Sequence, residues 1–489
     1  MIRISCKNER FTYDMYHIVK SFLPDAEISQ KVDPEQELLI EMTAEEEPDL
    51  EEQACDKKVR WTFFHCREAE IADISEKREQ KRYINKKLYQ TLVKKTGEEH
   101  AWGNMTGVRP TKMIMERLEE GSSEEEIIRY MHDTYVVSEK KAMLGIEIAK
   151  REKAQLDKLD YENGYSLYIG IPFCPTTCSY CSFTSYPVAK WQDRMDKYVD
   201  ALLKELAFIA EVSKEKHLNA IYMGGGTPTT LSAQQMDRVL SFLEEHFSFE
   251  HLKEYTIEAG RPDSITEDKL RVIRKHGVGR ISINPQTMQQ KTLDLVGRKH
   301  TVEDVERIFH MARELGFDNI NMDLIAGLPG ETRADMQDTL RRIKALAPDS
   351  LTVHALAIKR AAKFGQEGRT MDLHSEISGM VEDAAECAEE MGLKPYYLYR
   401  QKNIAGNFEN VGYAEVDKAG IYNILIMEEK QTILAAGAGA STKLVLPEKI
   451  QTAGGKKTNL IRIENVKNIM EYIHRIDEMI ERKGEWLWH

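Results

Sequence analysis

Cysteine is scarce in this chain, with seven among 489 residues, and the number is odd. A disulfide framework uses cysteines in pairs and at higher density, so the composition points to a reducing compartment. Long apolar runs are missing too. No stretch approaches the ~18 residues that span a bilayer. The opening Met-Ile-Arg-Ile-Ser-Cys-Lys-Asn-Glu-Arg holds no signal-peptide apolar core. The expectation is a cytoplasmic protein with no stable membrane insertion. Positive charge is in deficit, with a net charge of −13, which speaks against nucleic acid as a partner. The glycines show neither Walker nor dinucleotide-binding spacing, so nucleoside triphosphate and NAD readings fall away. What is present, 42% hydrophobic and 30% charged residues, describes a globular protein with room for two or three domains.

Three of the scarce cysteines crowd together. Cys174, Cys178 and Cys181 lie in Tyr168-Ile-Gly-Ile-Pro-Phe-Cys-Pro-Thr-Thr-Cys-Ser-Tyr-Cys-Ser-Phe183, just after an apolar run that reads as a strand. Buried structural thiols would not need this spacing, whereas a soft-ligand metal site would. A closed zinc or iron–sulfur site wants four protein ligands, and Ser182 and Phe183 supply no fourth thiolate. Three thiolates on a four-iron cluster leave one iron open to another ligand.

From residue 165 onward, strand-like runs alternate with amphipathic stretches. The strands are expected at Ser166–Ile171, Ala220–Met223, Tyr255–Glu258, Arg280–Asn284, Asn319–Ile325 and Leu351–Leu356. The helices are expected at Arg194–Glu211, Ala233–His246, Glu267–His276, Val302–Leu315 and Thr332–Ala345. Such alternation means β/α units on a parallel sheet. The polar and glycine motifs fall after, or late in, successive strands, as they do at the mouth of a barrel. The expected fold class is α/β, a partial (β/α)6 barrel with an N-terminal α+β domain and a C-terminal extension. Its boundaries are 1–160 for the N-terminal domain and helical linker, 161–370 for the barrel, and 371–489 for a C-terminal region over the site. In the first part the acidic tract Glu45–Glu52 reads as a solvated hairpin loop. Trp102–Lys112 reads as an anion-binding turn or as a connector into a helix. A helix at His374–Met391, a turn at Gly437–Lys443 and a terminal helix at Val466–Arg482 are expected further on.

Gly224-Gly-Gly-Thr-Pro228 has three residues without side chains, which permits close backbone approach to a ligand. Together with the cysteine loop, Gln286, Arg298 and Asp-Leu-Ile-Ala-Gly-Leu-Pro-Gly330, it resembles the oxygen-independent coproporphyrinogen III oxidase family of radical S-adenosylmethionine (SAM) proteins. The match covers roughly residues 160–445. Met-Thr-Gly-Val-Arg-Pro-Thr-Lys112 and Tyr-Tyr-Leu-Tyr-Arg-Gln-Lys402 resemble the HemZ branch of that family. The resemblance implies a [4Fe-4S] cluster on Cys174, Cys178 and Cys181. It also implies SAM contacts at Tyr168, Gly225, Gly226, Thr227, Glu258, Gln286, Arg298, Asp323 and Ala357. Tyr180 is placed to shield the cluster and pack against adenine. Glu258 suits SAM's ammonium, Arg298 its carboxylate, and Gln286 and Asp323 its ribose hydroxyls.

The implied activity belongs to heme and porphyrin biosynthesis. It is the oxidative decarboxylation of coproporphyrinogen III propionates to vinyl groups, with flavodoxin or ferredoxin as electron donor. Arg261, Arg360 and Arg400 are candidate propionate partners. Two positions depart from the well-studied oxidases: Gly170 stands where they carry histidine, and Phe183 where they carry cysteine. The heme-trafficking members of the superfamily share both departures. The alternative is therefore a heme-binding or heme-trafficking radical SAM protein without oxidase activity, with His354, His374 and the tyrosines around Tyr397 as candidate axial ligands.

Overall fold

The structure is a computed structural model and describes residues 2–4, 9–23, 28–29, 41–47, 58–63, 68–73, 77–356, 374–401, 408–451 and 457–487. The chain divides into two compact units. One comprises Met1–Ala149, Gly368–Ser378 and Leu398–Asn410, the other Lys150–Glu367, Gly379–Tyr397 and Val411–His489.

The smaller unit carries a five-stranded sheet in the order Ile28–Ser29, Ile2–Ile4, Glu41–Glu47, Lys58–Phe63 and Glu68–Asp73. The acidic tract is thus not all loop, because Glu45, Glu46 and Glu47 pair with Arg60, Val59 and Lys58. Helices Glu9–Phe22 and Lys77–Thr96 share a core in which Met15, Ile18, Val19 and Phe22 meet Ile84, Leu88, Tyr89 and Leu92. The Trp102–Lys112 segment leads into helix Pro110–Glu119, with proline in its first turn, where the missing N–H costs nothing. Arg400 reaches back to this connector. Its guanidinium donates to the carbonyls of Met105 (2.8 Å) and Gly107 (3.2 Å).

Among the described residues of the larger unit, six parallel strands follow one another along the chain: β1 (Gly164–Ile171), β2 (His217–Gly225), β3 (Glu254–Gly260), β4 (Arg280–Ile283), β5 (Ile320–Ala326) and β6 (Ser350–Ala355). They are neighbours in chain order. A doubly wound sheet reverses direction at a switch point; this sheet never does, so it winds as an arc of a barrel. Every residue of β4 and nearly every residue of β1 is buried, as strands covered on both faces require. The crossover helices are α1 (Met195–Val212), α2 (Ala233–His246), α3 (Glu267–Lys275), α4 (Val302–Glu314) and α5 (Arg333–Leu346). Capping boxes start three of them, at Ser232 with Gln235, Thr301 with Asp304 and Thr332 with Asp335. On α2 the buried set Met236, Val239, Leu240 and Leu243 follows the helical period and seals one face of the sheet.

The sheet continues on both sides of the arc. Glu409–Ala414 pairs antiparallel with β6. Thr432–Ala436 lies parallel to β1, with Ala435 opposite Tyr168, and Ser441–Gln451 and Lys457–Glu464 extend that side as a hairpin. The chain then ends in two helices, Ile469–His474 and Ile476–Gly484. A single terminal helix was the expectation. Arg475, at φ −109° and ψ 25°, breaks it.

These helices are tied to α1 by a buried polar cluster. Lys483 Nζ meets Glu205 Oε1 at 2.5 Å and Asn465 Oδ1 at 2.6 Å. The Tyr472 hydroxyl and the Gly437 N–H donate to Glu205 Oε2, at 2.5 and 2.9 Å. The turn at Gly437 therefore packs behind β1, where the Tyr198 hydroxyl donates to the Gly170 carbonyl at 2.6 Å.

Candidate active site at the carboxyl ends of the strands

The cysteine loop leaves the end of β1 and is held at several points. Ser179 N–H donates to the Val296 carbonyl at 3.1 Å and the Thr176 hydroxyl to the Gly297 carbonyl at 2.8 Å. The Thr227 hydroxyl lies 3.5 Å from Cys174 Sγ. Cys178 is buried, and Cys174 and Cys181 are half-buried. Burial pushes the Cys174 thiol up, and that of Cys181 to about 11. Metal ions displace such protons on binding. Among the described residues, no three His, Cys, Asp or Glu side chains close on a point as they do around a single metal ion. A cluster that takes one thiolate per iron does not require that.

Gly224 and Gly225 complete β2, which runs two residues past its expected end at Met223. Gly225 has φ +104°, which favours glycine. A Cβ on Gly226 would lie 2.6 Å from the Phe173 carbonyl oxygen and 2.8 Å from that of Ile171. The segment thus packs backbone to backbone against the start of the cysteine loop, with Thr227 N–H donating to the Phe173 carbonyl at 2.7 Å.

Beside this cradle stand three aromatic rings. Tyr168 stacks with Tyr222 (6.3 Å between centroids) and Tyr422 (6.2 Å), and those two stack at 4.4 Å. The Tyr222 hydroxyl donates to Glu258. Burial pushes the Glu258 carboxyl up to about 7; the Tyr222 hydroxyl opposes this and nearby Asp323 adds to it. Asp323 goes the other way. Burial works to raise it, but the His354 imidazole, with Asn321 and Thr352, outweighs burial and holds it below the usual carboxylate range. Asn321 Nδ2 donates to Asp323 Oδ1 at 2.7 Å, and His354 Nε2 lies 3.9 Å from Asp323 Oδ2.

Gln286 is held in the left-handed region at φ +69°, a conformation that costs a non-glycine residue about 1–3 kcal/mol. Two bonds to β5 enforce it: its N–H donates to the Asp323 carbonyl, and its carbonyl accepts from Ile325 N–H, each at 2.9 Å. Arg298 is buried. Its Nη1 donates to the Tyr180 hydroxyl at 2.9 Å and its Nη2 to the Asn284 carbonyl at 2.6 Å. Among the described residues its Nε has no partner, and neither has Asn284 Oδ1. An unpartnered N–H on a buried guanidinium suits an incoming carboxylate.

The donor set therefore fits the expected group. Soft thiols lie on one loop, a glycine cradle lies beside them with the Glu258 carboxyl against Gly224, and a guanidinium with an uncommitted N–H reaches the loop through Tyr180. Tyr168, Tyr180, Gly225, Gly226, Thr227, Glu258, Gln286, Arg298 and Asp323 all lie in this unit, at or near the strand ends. Ala357 and Arg360 lie outside the described residues. So do Cys6, Cys55, Cys66 and the side chain of His374.

All three Arg261 nitrogens donate within the protein, to Asp263 and Thr176, whereas Arg400 commits Nη1 to the Met105 and Gly107 carbonyls. Tyr397 is buried against Gly412. Tyr222, Tyr422 and His300 escaped the sequence reading. The strand register that sets Tyr222 beside Tyr168 was open to it, since both precede the ligand-facing loops by a few residues. His300 is held down at about 3 by burial and then by Arg298. No sequence signal distinguishes it.

A radical SAM superfamily profile matches residues 168–343. The chain is 42% identical over 393 residues to the oxygen-independent coproporphyrinogen-III oxidase-like protein HemZ of Bacillus subtilis, covering 79% of this chain and 77% of that protein. It is 34% identical over 200 residues to the heme chaperone HemW of the same organism, covering 41% of this chain and 52% of that one. Among solved structures, the coproporphyrinogen III oxidase HemN of Escherichia coli, a radical SAM enzyme, matches with a TM-score of 0.53 at 23% identity, covering 67% of this chain and 73% of that one. This last likeness bears on the fold alone.

Proposed function

This chain belongs to the radical SAM superfamily and, within it, to the HemZ-like branch of the oxygen-independent coproporphyrinogen III oxidase family, and on that premise we propose that it carries out radical chemistry on a tetrapyrrole. The family uses a [4Fe-4S] cluster and SAM, which when bound supply an electron and a hydrogen-abstracting radical. In this reading Cys174, Cys178 and Cys181 hold the cluster. Gly225, Gly226 and Thr227 bring backbone groups to the methionine part of SAM. Glu258 pairs with its ammonium, and Arg298 takes its carboxylate through the free Nε–H. Gln286 and Asp323 face the ribose, Tyr180 screens the cluster from water, and Tyr168 packs against the bound ligand. One observation carries the reading. The unpartnered Arg298 N–H lies in the same unit as a three-thiol loop, and the two are joined through Tyr180.

The substrate we assign is coproporphyrinogen III, whose propionates would lose carbon dioxide and become vinyl groups, with a low-potential protein such as flavodoxin or ferredoxin as electron source. An anaerobic incubation with SAM, reductant and coproporphyrinogen III, read by mass spectrometry, tests it. Products lighter by one and two formic acid equivalents support the reading.

Gly170 favours a second reading, heme binding without decarboxylation. A Cβ there would lie 3.3 Å from the Ala436 carbonyl oxygen and 3.7 Å from the Ala440 Cβ, so the backbone leaves little room for the donor ring that the typical oxidase carries. Cleavage of SAM to 5′-deoxyadenosine without vinyl products, together with heme binding in the micromolar range or tighter, would replace the first reading with this one.

A further inference from the structure

Arg261 leaves β3 three residues after Glu258, and its guanidinium is divided between two tasks. Nε and Nη2 donate to the two carboxylate oxygens of Asp263, at 3.0 and 2.6 Å. Nη1 turns the other way. It donates to the carbonyl of Thr176 at 2.8 Å and to its hydroxyl at 2.7 Å, and lies 3.7 Å from Cys178 Sγ. The Arg261 side chain is 6% exposed. Thr176 sits midway between Cys174 and Cys178, and its hydroxyl passes the chain of bonds on to Gly297, next to Arg298.

A buried cation that grips the middle of a ligand loop and also points an N–H at one of its sulfurs acts on whatever the loop holds. The potential of an iron–sulfur cluster follows its net charge, the hydrogen bonds to its sulfurs and its exposure. A positive group beside a thiolate favours the more negative, reduced cluster. Asp263 binds the opposite edge of the guanidinium, so it weakens the field at the sulfur without reversing it.

We infer that Arg261 is a positioning and potential-setting residue for the cluster on Cys174, Cys178 and Cys181. It fixes the Thr176–Cys178 segment through Nη1 and eases uptake of the electron. The step concerned is one electron passing from a low-potential reductant to the oxidised [4Fe-4S]2+ form to give [4Fe-4S]1+, with no bond made or broken. The inference rests on the cluster reading above and goes beyond it in assigning a residue that holds neither iron nor SAM.

The test is an anaerobic redox titration with dithionite and mediators, followed by electron paramagnetic resonance. It compares the unmodified full-length chain with R261Q, R261K and D263N, after iron and sulfide analysis of each. At a fixed potential, R261Q is expected to lower the ratio of reduced to oxidised cluster about tenfold, which is about 59 mV for a one-electron couple. R261K, which keeps the charge, should stay nearer the unmodified chain. D263N removes the opposing charge and should raise the ratio. Should R261Q fail to load, D263N decides, because it retains Arg261. Full clusters in R261Q and D263N with ratios within about twofold of the unmodified chain would overturn the inference and leave Arg261 a structural residue. Failure of the unmodified chain to take up iron would overturn the cluster reading itself, and this inference with it, and only that outcome does so.

Discussion

Arg298 shows how a single side chain can be both fixed and available. Two of its nitrogens are committed to Tyr180 and Asn284, and the third is not. The fork is therefore oriented before any carboxylate arrives. Arg298→Ala should weaken SAM binding by more than about tenfold, since loss of a desolvated charge-assisted contact costs roughly 2–5 kcal/mol. Calorimetry on cluster-loaded protein measures this, and unchanged affinity would remove the role.

Glu258 gives a pH dependence. Its carboxyl sits at about 7, so much of it is protonated, and unable to pair with an ammonium, at slightly acid pH. SAM affinity should rise roughly fivefold between about pH 6 and about pH 7.5 as Glu258 ionises, while the ammonium stays largely charged. Glu258→Gln should flatten the profile. The cysteines make the plainest case. Cys174→Ala, Cys178→Ala or Cys181→Ala should each abolish a cluster of about four irons per chain. Cys387, buried beside the Leu340 carbonyl, should be dispensable. Iron analysis after anaerobic reconstitution separates them.

At the scale of elements, the strand ends were readable because strand-to-loop changes are written in residue type. Polar groups and glycines follow runs such as Ser166–Ile171 and Ala220–Met223; the first became β1 with two residues added at its start, and the second became β2 with three added at its start and two at its end. The errors sit where backbone pairing overrides local composition. Glu45–Glu47 joined a strand through backbone pairing with Lys58–Arg60, and Arg475 divided the last helix. The pairing of arginines was not legible at all. Nothing in the order of residues says that Arg261 binds Asp263 and Thr176, or that Arg400 turns back to Met105. Gly226 shows what the glycine run is for. Its missing Cβ admits two carbonyls of the β1 loop, and neither can retreat without moving the cysteines. Gly226→Ala should lower stability by about 1–3 kcal/mol and reduce iron content as well. Denaturant midpoints and iron analysis, taken together, would show whether the two losses travel together.

For the larger unit as a whole, the buried Lys483–Glu205 pair joins the last helix to α1. Removing one partner strands a charge in the interior, at a cost of about 3–5 kcal/mol. Lys483→Met should therefore destabilise this unit by roughly that amount, and adding Glu205→Gln should restore part of it. Thermal unfolding of both variants provides the check.

The strand Thr432–Ala436 has a consequence in time. It lies against β1, yet 265 residues separate Ser166 from its partner Gln431 beside that strand. At about 5–20 residues per second of synthesis, this edge of β1 waits roughly 15–50 s for its partner while the cysteine loop is already outside the ribosome. An open apolar edge invites pairing with other chains. The order of biogenesis follows: this edge of β1 stays open, beside the emerged cysteine loop, until the strand Thr432–Ala436 has been made.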